Sequence, residues 1–137
     1  MFANGATIEG SIDGGTSSKS IDTLNYAAYT SPVTVNLATN VATGVNGGAA
    51  GGIVHIEKMI GGSAADMLIG PNTANVWKIT ANNAGTVGGF AFSSVKNLAG
   101  GALADRFILS KGMGVSGHVD GGGGNNTLDY SAYTSAV

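Results

Sequence analysis

The chain ends with GGGGNNTLDYSAYTSAV (121–137), which repeats GGTSSKSIDTLNYAAYTSPV (14–33) near its start. From Thr127 to Val137, eight of eleven positions are identical to their partners, two of them tyrosines. The match extends backwards at a constant offset, where the aligned pairs are Phe2 and Leu109, Gly5 and Gly112, Ile8 and Val115, Ile12 and Val119, and Asp13 and Asp120. Such self-similarity indicates an array. We predict one domain (1–137), built from a unit of about 105 residues (1–107) and the start of a second copy (108–137).

The composition excludes several classes of protein. Only 10% of residues are charged and 24 of 137 are glycine, so the residues that favour a helical bundle are scarce. A net charge of −2 provides no electrostatic footprint for nucleic acid. No apolar run approaches the ~18 residues of a membrane span, and the absence of cysteine excludes disulfides and thiolate metal sites. We therefore expect neither nucleic acid nor membrane insertion.

Short alternating segments predict strands separated by glycine-rich turns. Examples are VTVNL (33–37), IVHIE (53–57), NVWKIT (75–80) and GFAFSSV (89–95), because apolar residues recur every second position in them. A Gly-Gly motif recurs at GGSAADMLIG (61–70), GGALADRFIL (100–109) and GGGGNNTLDY (121–130). We therefore predict an all-β, right-handed parallel β-solenoid of about six coils, each of ~20 residues, with the motifs two coils and then one coil apart. The alternative is an antiparallel β-sandwich, against which we count the lack of hairpin signals such as Asn-Gly between adjacent predicted strands.

The Gly-Gly motifs resemble the nonapeptide GGxGxDxUx of secreted RTX proteins, where U is a large apolar residue. The DGG…TLDYSAYTSAV phrase is also similar to repeats of very large bacterial surface and adhesin-like proteins. The family's acidic positions correspond to Asp66, Asp105 and Asn126, and its apolar positions to Leu68, Phe107 and Leu128. The chain departs from the family where Ala64 and Leu103 replace glycine and where Asn126 replaces the acid. The resemblance implies a β-roll and a secreted or cell-surface location.

The resemblance also implies Ca²⁺ at the turns, because the family's acidic residue binds it together with turn carbonyl groups. The candidate ligands are Asp66 and Asp105, with Asp13 or Asp120 as additions. Calcium needs six to eight oxygen ligands, and the motifs here are isolated rather than tandem. The alternative is that these residues cap turns through their own backbone, with no cofactor bound.

No cluster of residues predicts catalysis, so we do not expect an enzyme. His55 and His118 are far apart in sequence, and the acidic residues form no recognisable pair. The repeated tyrosines are predicted to pack or stack between units; they are Tyr26, Tyr29, Tyr130 and Tyr133. Aromatic faces also suit sugars, so a cell-surface glycan is an alternative partner for them.

Neither end of the predicted solenoid has a cap, and exposed strand edges favour association. The chain is then either an excerpt of a longer array or a protein that docks head to tail with itself. Both cases predict a non-catalytic structural module of an extracellular bacterial fibre, adhesin stalk or surface layer. The alternative function is a calcium- or glycan-binding RTX-like module of a secreted protein.

Overall fold

The structure is a computed structural model that describes residues 1–134; the end of the predicted second copy (135–137) lies outside the described residues. The strands, in chain order, are β1 (Ile12–Asp13), β2 (Thr23–Asn25), β3 (Thr34–Asn36), β4 (Val41–Ala42), β5 (Ile53–Val54), β6 (Lys58–Ile60), β7 (Met67–Ile69), β8 (Val76–Ala81), β9 (Ala84–Val87), β10 (Phe90–Ser93), β11 (Asn97–Ala99), β12 (Arg106–Leu109), β13 (Val119–Asp120) and β14 (Thr127–Asp129). A 3₁₀ turn, η1 (Asn46–Gly48), separates β4 from β5.

The strands form three sheets. The largest has seven strands in the order β14-β12-β8-β9-β10-β6-β2, and the second has five in the order β13-β11-β7-β3-β4. The third is a parallel pair of β1 and β5. Both larger sheets are open and end in edge strands, which can accept a further strand.

The prediction of a single parallel solenoid is wrong, because both larger sheets are mixed. β9 runs antiparallel to β8 and β10, and β4 runs antiparallel to β3. Two-residue loops at 82–83 and 88–89 reverse the chain around β9, and Asn83, Gly88 and Gly89 have the positive φ that such loops favour. Open, mixed sheets fit the sandwich-like alternative better, although eight of the eleven strand pairs within residues 1–134 are parallel.

The prediction of coils of one regular length is also wrong for most of the chain. In the five-stranded sheet, Val35, Leu68, Leu98 and Val119 lie side by side, but the sequence intervals between them shorten along the chain. Only the last interval, from Leu98 to Val119, agrees with the prediction. The earlier ones are longer because they contain either β5 with its preceding loop or the β9 hairpin.

Inward side chains from both larger sheets form one hydrophobic core. Three sets of buried residues in register contribute to it: Leu24, Met59 and Phe92; Trp77 and Phe107; and Val35, Leu68 and Leu98. Trp77 is fully buried and stacks on Phe107 with ring centroids 5.3 Å apart. Stacked aromatic pairs of this kind add stability beyond the area that they bury.

The two copies of the repeat lie at opposite ends of the seven-stranded sheet. In the first copy, β1 and β2 pair with β5 and β6, which follow them in the chain. In the second copy, β13 and β14 pair with β11 and β12, which precede them. The equivalent strands are therefore supported from opposite sides, and the outer edge of β14 has no partner strand within residues 1–134.

Candidate functional site

The tyrosine pairs have the same local structure in both copies. The rings of Tyr26 and Tyr29 meet edge to face at 5.2 Å, as do those of Tyr130 and Tyr133. In each pair, the backbone N–H of the second tyrosine donates to the carbonyl of the first, at 2.8 Å. The sequence repeat is thus also a repeat of three-dimensional structure.

The second tyrosine of each pair ties its turn to an earlier part of the same copy. Tyr29 Oη donates to the carbonyl of Ala6, and Tyr133 Oη donates to the carbonyl of Met113 at 2.6 Å. Ala6 and Met113 are themselves equivalent in the alignment of the two copies. Each turn is therefore fixed within its own copy, independently of the strands that cover it.

The first tyrosine of each pair has different surroundings in the two copies. Tyr26 is fully buried, its Oη donates to the carbonyl of Thr43 at 2.8 Å, and its N–H donates to the carbonyl of Ile60. Burial, and to a lesser extent the nearby Tyr29, raises the pKa of the Tyr26 hydroxyl. Tyr130 is 36% exposed, and within residues 1–134 neither its N–H nor its Oη has a hydrogen-bond partner.

Leucine exposure differs in the same way. Leu24 lies beside its register partner Met59 and is 2% exposed, whereas the equivalent Leu128 is 48% exposed. Beside Leu128 lies an open depression of about 400 Å³, lined by Leu109, Val115, Val119 and Tyr130 among others. These predicted stacking tyrosines therefore occupy two settings: the first pair is in the core and the second lies at an open end.

The proposed calcium ligands Asp66 and Asp105 are buried within turns. Asp66 accepts the N–H of Gly62 at 2.7 Å and that of Val33, on a neighbouring segment, at 2.9 Å. Asp105 accepts the N–H of Gly101 at 2.7 Å and that of Asn75 at 3.0 Å, together with the Asn75 side chain at 2.7 Å. Each carboxylate therefore caps its own Gly-Gly turn and joins it to the adjacent segment.

The glycines of these motifs allow this close approach. A Cβ at Gly61 would lie 2.7 Å from Asp66 Oδ2, and one at Gly100 would lie 2.4 Å from Asp105 Oδ2. In the third motif Asn126 is exposed; its amide donates to the carbonyls of its own turn, and its Oδ1 accepts the Asp105 N–H at 2.8 Å. Asn126 therefore caps its turn by donating to carbonyl groups, whereas Asp66 and Asp105 cap their turns by accepting N–H groups.

The additional predicted ligands, Asp13 and Asp120, form a second kind of turn. Asp13 Oδ1 accepts the N–H of Gly15, as Asp120 Oδ1 accepts that of Gly122. Asp13 also lies 2.8 Å from His55 Nδ1, and the His55 contact and the Gly15 N–H lower its pKa. Within residues 1–134, no three histidine or acidic side chains come together in a metal-binding group.

Sequence reasoning missed two cationic contacts. Lys96 Nζ donates to the carbonyls of Gly62 and Ala64, so an ammonium group already occupies two carbonyl oxygens of the first Gly-Gly turn. Arg106 pairs with Asp129 across β12 and β14. Strand register brings both pairs together, and neither contact follows from the spacing of residues in the sequence.

None of the helical segments within residues 1–134 combines the length and hydrophobicity needed to cross a bilayer. Comparisons with protein-family models, with curated proteins and with solved structures find no match to this chain.

Proposed function

We propose that the chain is a non-catalytic structural repeat module of a secreted or cell-surface bacterial protein, such as a fibre, an adhesin stalk or a surface layer. Its partner is a further copy of the same repeat. Because the solenoid prediction is wrong, coil stacking no longer supports this proposal. Its support is the opposite-sided pairing of the two copies, β1 and β2 with later strands and β13 and β14 with earlier ones.

The alignment of the two copies supports a specific way in which such units would continue. In the position of β2, β14 would have β12 on one side and an equivalent of β6 on the other. The seven-stranded sheet would then continue from one unit into the next, and each unit would add six strands. At a spacing of ~4.8 Å between strands, each unit adds about 29 Å to the sheet.

A two-unit chain tests this proposal. Residues 34–137 are appended after Val137, which aligns with Val33. Small-angle scattering should show one rigid particle longer by about 29 Å, with a single thermal transition at a higher temperature than for the original chain. The control joins two copies of 1–137 through a flexible Gly-Ser linker. If the appended chain behaves like this control, as two independent globules with an unchanged transition, the proposal fails.

A glycan-binding module is the second candidate function, because Tyr130 presents an exposed aromatic side chain beside an open depression. Aromatic faces bind the apolar faces of sugars. This function is tested by titrating the chain with neutral oligosaccharides and monitoring its backbone amide signals by NMR. Saturable shifts around Tyr130 that vanish in Tyr130→Ala would favour it.

Calcium binding at Asp66 and Asp105 is tested separately. The carboxylates already accept backbone N–H groups, and Lys96 holds carbonyls of the first turn. We expect millimolar Ca²⁺ to leave the melting temperature within about 1 °C of its value in EDTA, because linkage requires a vacant site. A larger, saturable increase would favour the calcium-binding alternative.

A further inference from the structure

The open end of the second copy has a covered counterpart in the same molecule. In the first copy, residues 43–60 lie over the equivalent surface, with β5 beside β1 and β6 beside β2. Val45, Ile53 and Met59 of this segment are buried in the core. The depression beside Leu128 thus corresponds to a space that the first copy fills with its own chain.

Backbone donors at the open end match acceptors of that covering segment. In the first copy, the N–H groups of Ile8, Gly14 and Tyr26 donate to the carbonyls of Gly44, Val54 and Ile60, respectively. The equivalent donors in the second copy belong to Val115, Gly121 and Tyr130, and within residues 1–134 none of them has a backbone acceptor. A covering segment would need carbonyls at the same three spacings to satisfy them.

We infer that this open end binds one particular occupant: a segment equivalent to residues 43–60 from a further repeat, added as strands parallel to β13 and β14. This inference rests on the proposed function and names the contact through which units would join. Strand addition of this kind derives affinity from main-chain hydrogen bonds and specificity from side-chain pockets. Here the pocket accepts the equivalent of Met59 against Leu128, and the equivalent of the Thr43 carbonyl accepts the Tyr130 hydroxyl.

Gly44 supplies a sharp selectivity test. Its φ is +76°, and a Cβ there would lie 2.7 Å from the Ala6 carbonyl oxygen and 3.2 Å from Tyr29 Oη. The second copy presents the corresponding pair, the Met113 carbonyl and Tyr133 Oη, in the same hydrogen bond. An occupant with alanine at this position should therefore be rejected.

The experiment adds a synthetic peptide of residues 41–62 to the full chain. We expect a saturable increase in melting temperature with peptide concentration and slower hydrogen exchange at the Val115, Gly121 and Tyr130 amides. The Gly44→Ala peptide is the matched control and should produce neither effect. The chain variant Leu128→Asp should keep its fold, because Leu128 is half exposed, and should lose the response to the wild-type peptide.

A chain extended by residues 34–62 after Val137 provides a second measurement that does not depend on peptide affinity. Its melting temperature should rise by about 5 °C, since it buries Leu128 and Tyr130, and Leu128→Asp should abolish the rise. The inference is overturned if neither peptide nor extension changes the melting temperature, if the Gly44→Ala peptide works equally well, or if an oligosaccharide alone protects these amides.

The outcomes separate this inference from the proposed function. A rigid two-unit chain that Leu128→Asp does not affect would keep the function and reject this contact. A peptide that binds as described, beside a two-unit chain that behaves as two globules, would keep the contact and reject the function.

Discussion

The first and second copies of the repeat share sequence and local hydrogen bonds but not burial. Tyr29 and Tyr133 make the same bond within their own copies, whereas Leu24 and Leu128 differ in exposure from 2% to 48%. Local geometry is therefore encoded within each copy, while burial depends on the segment that lies over it. Matched substitutions in the two copies measure how much of the stability comes from each source.

The largest effect should come from the turn carboxylates. Asp66→Ala removes the acceptor of two buried N–H groups, those of Gly62 and Val33, and should reduce the free energy of unfolding by about 4 kcal/mol. Asn126→Ala, at the exposed third motif, should cost about 1 kcal/mol or less. Urea denaturation of both variants measures the difference. Equal losses would show that turn capping does not depend on burial.

The next effect is the leucine contrast. Leu24→Ala leaves a cavity beneath Met59 and should cost about 3 kcal/mol, whereas Leu128→Ala should cost about 0.5 kcal/mol because its side chain is already half in water. The same urea experiment compares them. A Leu128→Ala loss as large as that of Leu24→Ala would mean that the second copy is covered in solution, for example by self-association.

The tyrosine hydroxyls should show a smaller contrast. Tyr26→Phe removes the donor to the Thr43 carbonyl and should cost about 1 kcal/mol, while Tyr130→Phe should change stability little. The pKa of Tyr26 is raised in the folded state, so its contribution is fully present below pH 10 and is lost as the pH rises further. Thermal melts between pH 8 and 11 should therefore fall less steeply in Tyr26→Phe than in Tyr130→Phe.

The smallest effect concerns an acid present only in the second copy. The Ser131 N–H, the Ser131 side chain and Arg106 lower the pKa of Asp129 to about 2, whereas the first copy has the neutral Asn25 at this position. Because the pKa of Asp129 is lowered in the folded state, the ionised carboxylate stabilises the fold above about pH 4. This stabilisation is lost as the pH falls towards 2. Asp129→Asn should therefore show a slightly weaker acid dependence, measured by melting at pH 2 to 5. An unchanged dependence would contradict the assignment.

Parts of the fold were accessible from the sequence because they are local. Alternation identifies the strands around Val35, Trp77 and Phe92, and the alignment of the two copies pairs Leu24 with Leu128. The antiparallel direction of β9 could not be predicted in this way. In the sequence Gly88–Gly89 resembles the glycine-rich corner of a solenoid, whereas in the structure it is a two-residue hairpin loop.

The contacts that define the site were less accessible, because strand register between distant segments creates them. Lys96 reaches the Gly62 carbonyl across 34 residues, and Asp66 reaches Val33 across 33. The sequence motif identified Asp66 as important, but its spacing is compatible with both metal binding and turn capping. Only the positions of the N–H donors distinguish how the carboxylate is used in this structure.

The antiparallel β9 hairpin also bears on how the chain reaches its fold. Two-residue loops connect β9 to its antiparallel partners β8 and β10. The other strand pairs of the same sheet join segments that are much farther apart in the sequence. Short loops close fastest, so we expect residues 76–93 to nucleate folding, with structure then spreading outward in both directions. Each further repeat would contain its own folding nucleus, so a long array could begin to fold at many points simultaneously.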